Sequence, residues 1–131
     1  MKSHYRAVVI GGGVVGTSVL YHLAKMGWKD VLLIERKVLT AGSSWHAAGG
    51  IHALNADPNI AALQAYTIDL LPEIEKDSGQ SIGLHMTGGM TLAGTPDRWE
   101  WLQSAYRTFQ SIGIDDCRLI TPEEAGELCP I

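Results

Sequence analysis

The chain has 131 residues, room for one domain at most. Its apolar fraction of 46% and charged fraction of 18% are those of a globular protein without low-complexity tracts. A formal net charge of -4, with Lys and Arg scattered along the chain, leaves no clustered basic face and argues against nucleic acid or an anionic membrane as a partner.

Tyr5–Ile10 is β-branched and apolar, which suits a strand buried on both faces. Gly11–Gly13 ends it. From Val14 to Met26 the residues Val15, Val19, Leu20 and Leu23 recur at helical spacing, and Gly27 offers a left-handed cap. Val31–Ile34 predicts a second buried strand. Thr40–Gly50 is small, polar and glycine-rich, a loop or the start of a short helix. Asp57-Pro58 is a cap followed by Pro in the first turn, and predicts a helix from about Asn59 to Lys76. Its inner stripe is Ile60, Leu63, Leu70, Leu71 and Ile74, and Pro72 predicts a kink or break within it. Leu84–Met86 and Met90–Ala93 predict short strands joined at Gly88-Gly89. Thr95-Pro96-Asp97 opens a helix with Trp99, Leu102, Tyr106 and Phe109 on one side. Leu119–Ile120 suits a short strand, and Thr121-Pro122-Glu123-Glu124 starts the last helix with acids in its first turn.

The two cysteines, Cys117 and Cys129, have neither metal-ligand spacing nor a C-x-x-C pattern, and read as reduced thiols. No signal peptide or membrane span is visible, because the apolar run Ala7–Ile10 is short and meets glycines. The expected location is cytoplasmic. The chain stops at Cys129-Pro130-Ile131, directly after a short acidic helix, and reads as a piece of a longer protein.

Gly11-x-Gly13-x-x-Gly16 stands directly after a strand and before a helix, the context that makes this pattern a dinucleotide loop. Gly11 permits the tight turn, Gly13 allows a pyrophosphate to approach the backbone, and Gly16 lets the helix pack closely. The helix then presents unpaired amides and its positive end to the phosphates. Glu35, at the end of the second strand, is placed to accept hydrogen bonds from ribose hydroxyls and to repel a 2′-phosphate. The loop does not distinguish FAD from NAD. The later stretch Thr40–Gly50 favours FAD, whose flavin half must be held further along. Ser43 or Ser44 is suited to cap a short helix there and to bond a phosphate oxygen.

The stretch Leu39-Thr40-Ala41-Gly42-Ser43-Ser44-Trp45-His46-Ala47-Ala48-Gly49 resembles the FAD-dependent amine oxidoreductases of the dimethylglycine and sarcosine dehydrogenase type, within the D-amino-acid-oxidase-like flavoproteins. The resemblance covers essentially the whole chain. It implies an α/β fold: a Rossmann-like FAD-binding βαβ unit of a glutathione-reductase-type, D-amino-acid-oxidase-like fold with an incomplete sheet. Residues 1–131 would be the N-terminal part of an FAD-binding oxidoreductase domain. In the family the His of this pattern carries the flavin covalently, which transfers to His46. A neutral imidazole is a competent nucleophile for that bond. Two plainer roles compete: a hydrogen bond near the flavin, and a solvated loop residue. The chain departs from the dinucleotide-fold pattern at Leu20, where a small residue is usual, and at Gly50.

The cofactor-binding residues expected are Gly11, Gly13, Val14, Val15, Gly16, Glu35, Arg36, Gly42, Ser43, Ser44, His46, Ala48 and Gly49. No catalytic residue is assigned and no metal site is expected. The resemblance implies oxidative N-demethylation of a methylated glycine-type amine, dimethylglycine or sarcosine. Electrons would pass to oxygen or an electron-transfer flavoprotein, and tetrahydrofolate would bind in a C-terminal region beyond these residues. Without its remaining sheet partners, this chain is not expected to turn over sarcosine. The rivals are an amino-acid oxidase with dissociable FAD, a non-catalytic regulatory relative, and a simple NAD-binding module. His52, just after the flavin-holding stretch, reads as structural, with a position facing the flavin or the substrate as the alternative; His85 reads as structural, and Trp99, Trp101 and Tyr106 as packing rather than an amine cage.

Overall fold

The computed structural model describes residues 2–55 and 57–130. They fall into two compact units, Met1–Gly50 and Ile51–Ile131.

In the first unit, β1 (Ala7–Ile10), α1 (Val14–Lys25) and β2 (Val31–Ile34) form a βαβ unit. β1 and β2 are parallel, with Ala7 opposite Val31 and Ile10 opposite Ile34. Parallel neighbours require a crossover, and α1 supplies it while packing on both strands. Its C-terminal end is closed by two bonds, Gly27 N–H to the Ala24 carbonyl at 2.9 Å and Trp28 N–H to the Leu23 carbonyl at 3.0 Å. Gly27 takes φ +86° there, the left-handed geometry that glycine adopts without strain. At the start of β1, Arg6 N–H donates to the Asp30 carbonyl at 2.9 Å, and the Lys2 ammonium bonds the Asp30 carboxylate at 2.8 Å. The Arg6 guanidinium lies 3.8 Å from the centre of the Trp28 ring.

The strands are not buried on both faces. Side chains alternate between half-buried and exposed along β1, and Ile10 is 84% exposed. A single helix covers one face of a two-stranded sheet and leaves the other open. The apolar stripe of α1 is also rotated from the expected one: Leu20 and Leu23 are half-buried, whereas Val15 and Val19 are exposed. Gly16 sets this rotation, because it is the residue that approaches Gly11 and Val9.

The second unit contains α2 (Pro58–Ser78), α3 (Pro96–Ser111) and α4 (Pro122–Leu128). Each has a Pro in its first turn after a capping side chain. The Asp57 carboxylate accepts from the amides of Asn59 at 2.8 Å and Ile60 at 3.0 Å. Thr121 and Glu124 form a reciprocal capping box on α4. α2 and α3 pack together, and the buried side chains are Ala61, Leu70, Ala105 and Phe109. Ile60, Leu63 and Trp99, expected inside, are exposed; Ala61 and Ala105 share the buried positions with Leu70 and Phe109.

α2 continues through Pro72 without a break. Proline there removes one bond, to the Ile68 carbonyl, and a helix held at one end by Asp57 and at the other by the left-handed Gly79 withstands it. The strands expected at Leu84–Met86, Met90–Ala93 and Leu119–Ile120 do not form. A lone hairpin is marginal, and glycines 83, 88, 89 and 94 interrupt this one. Instead, the Glu75 carboxylate fastens the start of the segment to α2, accepting from the Ser81 hydroxyl at 2.9 Å and the Ile82 amide at 2.6 Å. Cys117 and Cys129 are both free thiols. Among the described residues no helix is long and apolar enough to cross a membrane.

Candidate cofactor site at the glycine loop

The site begins where β1 runs out. Gly11 N–H donates to the Ile34 carbonyl at 2.8 Å, extending the ladder by one residue. Gly11 then turns with φ +108°, a value that L side chains rarely adopt. One further position, Gly16, requires glycine for space, and two more are tight. A Cβ on Gly16 would overlap the Gly11 carbonyl oxygen; one on Gly12 would stand 2.6 Å from Leu39 Cδ2; one on Gly13 would stand 3.3 Å from Ser44 Oγ. The loop is therefore a strip of bare backbone, pressed on one side by α1 and on the other by the segment after β2.

Glu35 is held by both of its oxygens. Oε2 accepts from Gly12 N–H and Oε1 from Lys37 N–H, each at 2.8 Å. These bonds, the one from Gly12 foremost, hold the carboxyl below the usual carboxylate range. A carboxylate has about four acceptor positions, so two amides leave capacity for the hydroxyls of a ligand. Beside it, Glu35, Arg36, Lys37, Ala41 and Gly42 line an open pocket of about 160 Å³.

The chain then folds back on the loop. Thr40 N–H donates to the Gly12 carbonyl at 2.9 Å, and Thr40 takes φ +67°, strained for a β-branched residue. Overlapping turns follow. Trp45 N–H donates to the Thr40 and Gly42 carbonyls, His46 N–H to Ser43 and Ala47 N–H to Ser44, at 3.0–3.4 Å. The Ser44 hydroxyl accepts from Val14 N–H at 2.9 Å. It caps α1, not a helix of its own. His46 Nδ1 lies 3.0 Å from the Gly42 carbonyl. A carbonyl only accepts, so in the neutral ring Nδ1 carries the proton and Nε2 keeps its lone pair.

Gly11, Gly13, Val14, Val15, Gly16, Glu35, Arg36, Gly42, Ser43, Ser44 and His46 therefore share one compact unit, with Ser44 and Glu35 bonded directly to the glycine loop. Ala48 and Gly49 follow the turns as exposed chain outside any element, Gly49 with φ +78°. Gly12 has no place in the glycine pattern, and Leu39 and Thr40 belong to the family stretch without a role that the sequence assigns. The run Gly11-Gly12-Gly13 was the one available signal, since a middle glycine has no part in the Gly-x-Gly-x-x-Gly pattern. His85 is exposed on a loop rather than within a strand. Among the described residues no cluster of three or more His, Cys, Asp or Glu residues could hold a metal ion.

These features fit a dinucleotide. The glycine strip admits a pyrophosphate, the first turn of α1 offers amides to it, and the Glu35 carboxylate stands beside a pocket at the end of β2. Comparison with known proteins agrees. The model of the FAD dependent oxidoreductase family (DAO) matches residues 6–131. Mitochondrial dimethylglycine dehydrogenase of Rattus norvegicus is 40% identical over 131 residues, covering 99% of this chain and 15% of that protein. The mitochondrial pyruvate dehydrogenase phosphatase regulatory subunit of Mus musculus is 35% identical, covering 100% of this chain and 15% of that protein. The chain thus spans about 15% of the length of these curated relatives. The crystal structure of L-proline dehydrogenase from P. horikoshii superposes with a TM-score of 0.85 at 28% identity, over 97% of this chain and 33% of that one. Sequence, fold and site agree that this chain belongs to the FAD-dependent oxidoreductase family, with dimethylglycine dehydrogenase among its relatives.

Proposed function

We propose that the chain forms the FAD-holding N-terminal part of an oxidoreductase domain that N-demethylates a methylated glycine-type amine, dimethylglycine or sarcosine. The observation that carries it is the hydrogen bond from His46 to Gly42, within turns fastened to the glycine loop. It leaves Nε2 as the nucleophilic atom of a histidine placed next to a dinucleotide site.

Each residue has a role in this reading. Gly11 supplies the turn, Gly13 keeps the pyrophosphate path free of a side chain, Gly16 lets α1 pack against the loop, and the Val15 and Gly16 amides, in the first turn of α1, would face the phosphates. Val14 has given its amide to Ser44. Glu35 accepts from ribose hydroxyls, and Arg36 borders the adenosine side. Gly42, Ser43, Ala48 and Gly49 would let the chain run close to the flavin half, and His46 would be the residue that holds the flavin covalently. FAD supplies the redox chemistry when bound. In this reading the acceptor is oxygen or an electron-transfer flavoprotein, tetrahydrofolate binds beyond these residues, and the location is cytoplasmic. The rat relative is by its name mitochondrial.

A second reading is favoured by the mouse relative, which is named a regulatory subunit. In it the flavoprotein fold serves a partner and catalyses nothing.

Acid precipitation of the longest native form of the protein, with His46→Ala beside it, separates these. A washed pellet that stays yellow in the wild type and turns colourless in the variant is the expected result. Flavin washing away from both refutes covalent attachment and favours dissociable FAD. A protein with no flavin at all favours the regulatory reading.

A further inference from the structure

α1 begins without a capping side chain, because its cap residue is Gly13. A helix start leaves several amides without an intrahelical acceptor. Here the first, that of Val14, is taken by the hydroxyl of Ser44, thirty residues further on, at 2.9 Å. Gly13 leaves the contact uncrowded, since a Cβ there would stand 3.3 Å from Ser44 Oγ. Ser44 is half-buried, and its own carbonyl accepts from Ala47 N–H across the turn that contains His46.

The Val14–Ser44 bond therefore joins two pieces of the site that the chain itself leaves far apart. One is the helix end that faces a pyrophosphate; the other is the turn that carries the histidine. We infer, resting on the reading above, that Ser44 is a positioning residue for flavin attachment. It occupies the Val14 amide and so fixes the His46 turn against α1, while the Val15 and Gly16 amides remain for the phosphates. Ser44 acts through His46 and is not itself a phosphate ligand.

The test uses the longest native form of the protein with Ser44→Ala, Ser44→Thr and Ser44→Cys. ADP affinity reports the phosphate site, and acid-stable flavin formed at saturating FAD in a fixed time reports attachment. Ser44→Ala is expected to lower attachment roughly tenfold or more, since misplacement of a reacting group by an ångström has effects of this order. ADP affinity should stay within about threefold, well under the tenfold that 1.4 kcal/mol would give. Ser44→Thr keeps the hydroxyl and should restore attachment. Ser44→Cys keeps the volume with a poor acceptor and should behave as Ala. Unchanged attachment in Ser44→Ala overturns the inference. So does a parallel fall in ADP affinity, which makes Ser44 a phosphate ligand. If the wild type carries no covalent flavin, the covalent reading fails by itself, and amide exchange across Trp45–Ala47 judges Ser44. Exchange there should quicken about tenfold in Ser44→Ala and not in Ser44→Thr; equal rates in all three overturn the positioning role.

Discussion

Gly16→Ala tests the glycine strip where the structure is least forgiving. The new methyl would overlap the Gly11 carbonyl oxygen and lie 3.0 Å from its carbon and 3.4 Å from Val9 Cγ1. Neither neighbour can retreat cheaply, because Gly11 N–H is bonded to the Ile34 carbonyl at 2.8 Å and Val9 is paired within the sheet. The helix must move away from the strands instead. Overpacking of this kind costs roughly 1–3 kcal/mol, and a backbone obstacle places the change in the upper part, about 2 kcal/mol or more. That is a factor of about 30 in the folded-to-unfolded ratio. At roughly 4 °C per kcal/mol, Tm should fall by about 8 °C. Urea unfolding followed by far-UV circular dichroism measures the loss, and ADP titration shows whether the displaced helix end still binds phosphate. Gly42→Ala is the control: a Cβ there meets nothing within 4 Å, and the change should stay within about 0.5 kcal/mol. A Gly16→Ala protein as stable as the control, with wild-type ADP affinity, would refute the close approach of α1 to the loop.

Glu35→Gln should flatten the acid side of the stability curve. The folded carboxyl titrates below its ordinary value of 4.5, so its contribution is complete above that value and disappears as pH falls through the lowered one. Urea midpoints followed downward from neutral pH should therefore drop less steeply in the variant; parallel curves would show that the amide bonds do not perturb Glu35. Some slope must remain, because Asp30, held by Lys2, and Glu75, held by the Ile82 amide, are shifted in the same direction. Asp57→Ala removes the acceptor of two amides at the start of α2 and should cost about 1 kcal/mol, whereas Asp57→Asn should cost much less. Thermal unfolding of the pair compares them directly, and equal losses would mean that the carboxylate charge, not the cap, matters.

Local chemistry was the legible part of this sequence. Val31–Ile34 forms with the bounds read from the chain, the last helix starts at Pro122 as read, and the three X-Pro helix starts are all capped as their residue types dictate. These signals depend on neighbours a few residues away. Burial was less legible, because which side of a helix is covered depends on partners that periodicity does not name. Val15 and Val19 follow the helical period and still face outward, since α1 turns on Gly16. The segment Leu84–Ala93 failed for a related reason: strands exist through pairing, and none of the described chain pairs with it. In the site, the glycine pattern and Glu35 were readable at fixed spacing. The Val14–Ser44 bond and the left-handed Thr40 were not, as neither has a sequence signature.

The two amide bonds on Glu35 have a consequence for recognition. A free glutamate samples many rotamers and must be frozen when a ligand arrives, which weakens binding. Here Gly12 and Lys37 have already selected one orientation during folding. A ribose bound there, as proposed, would meet an acceptor that stands ready, and discrimination would come from the shape of a rigid receptor rather than from adjustment to each ligand. Adenosine ligands lacking one hydroxyl should therefore be rejected sharply, since the carboxylate cannot swing to find another donor.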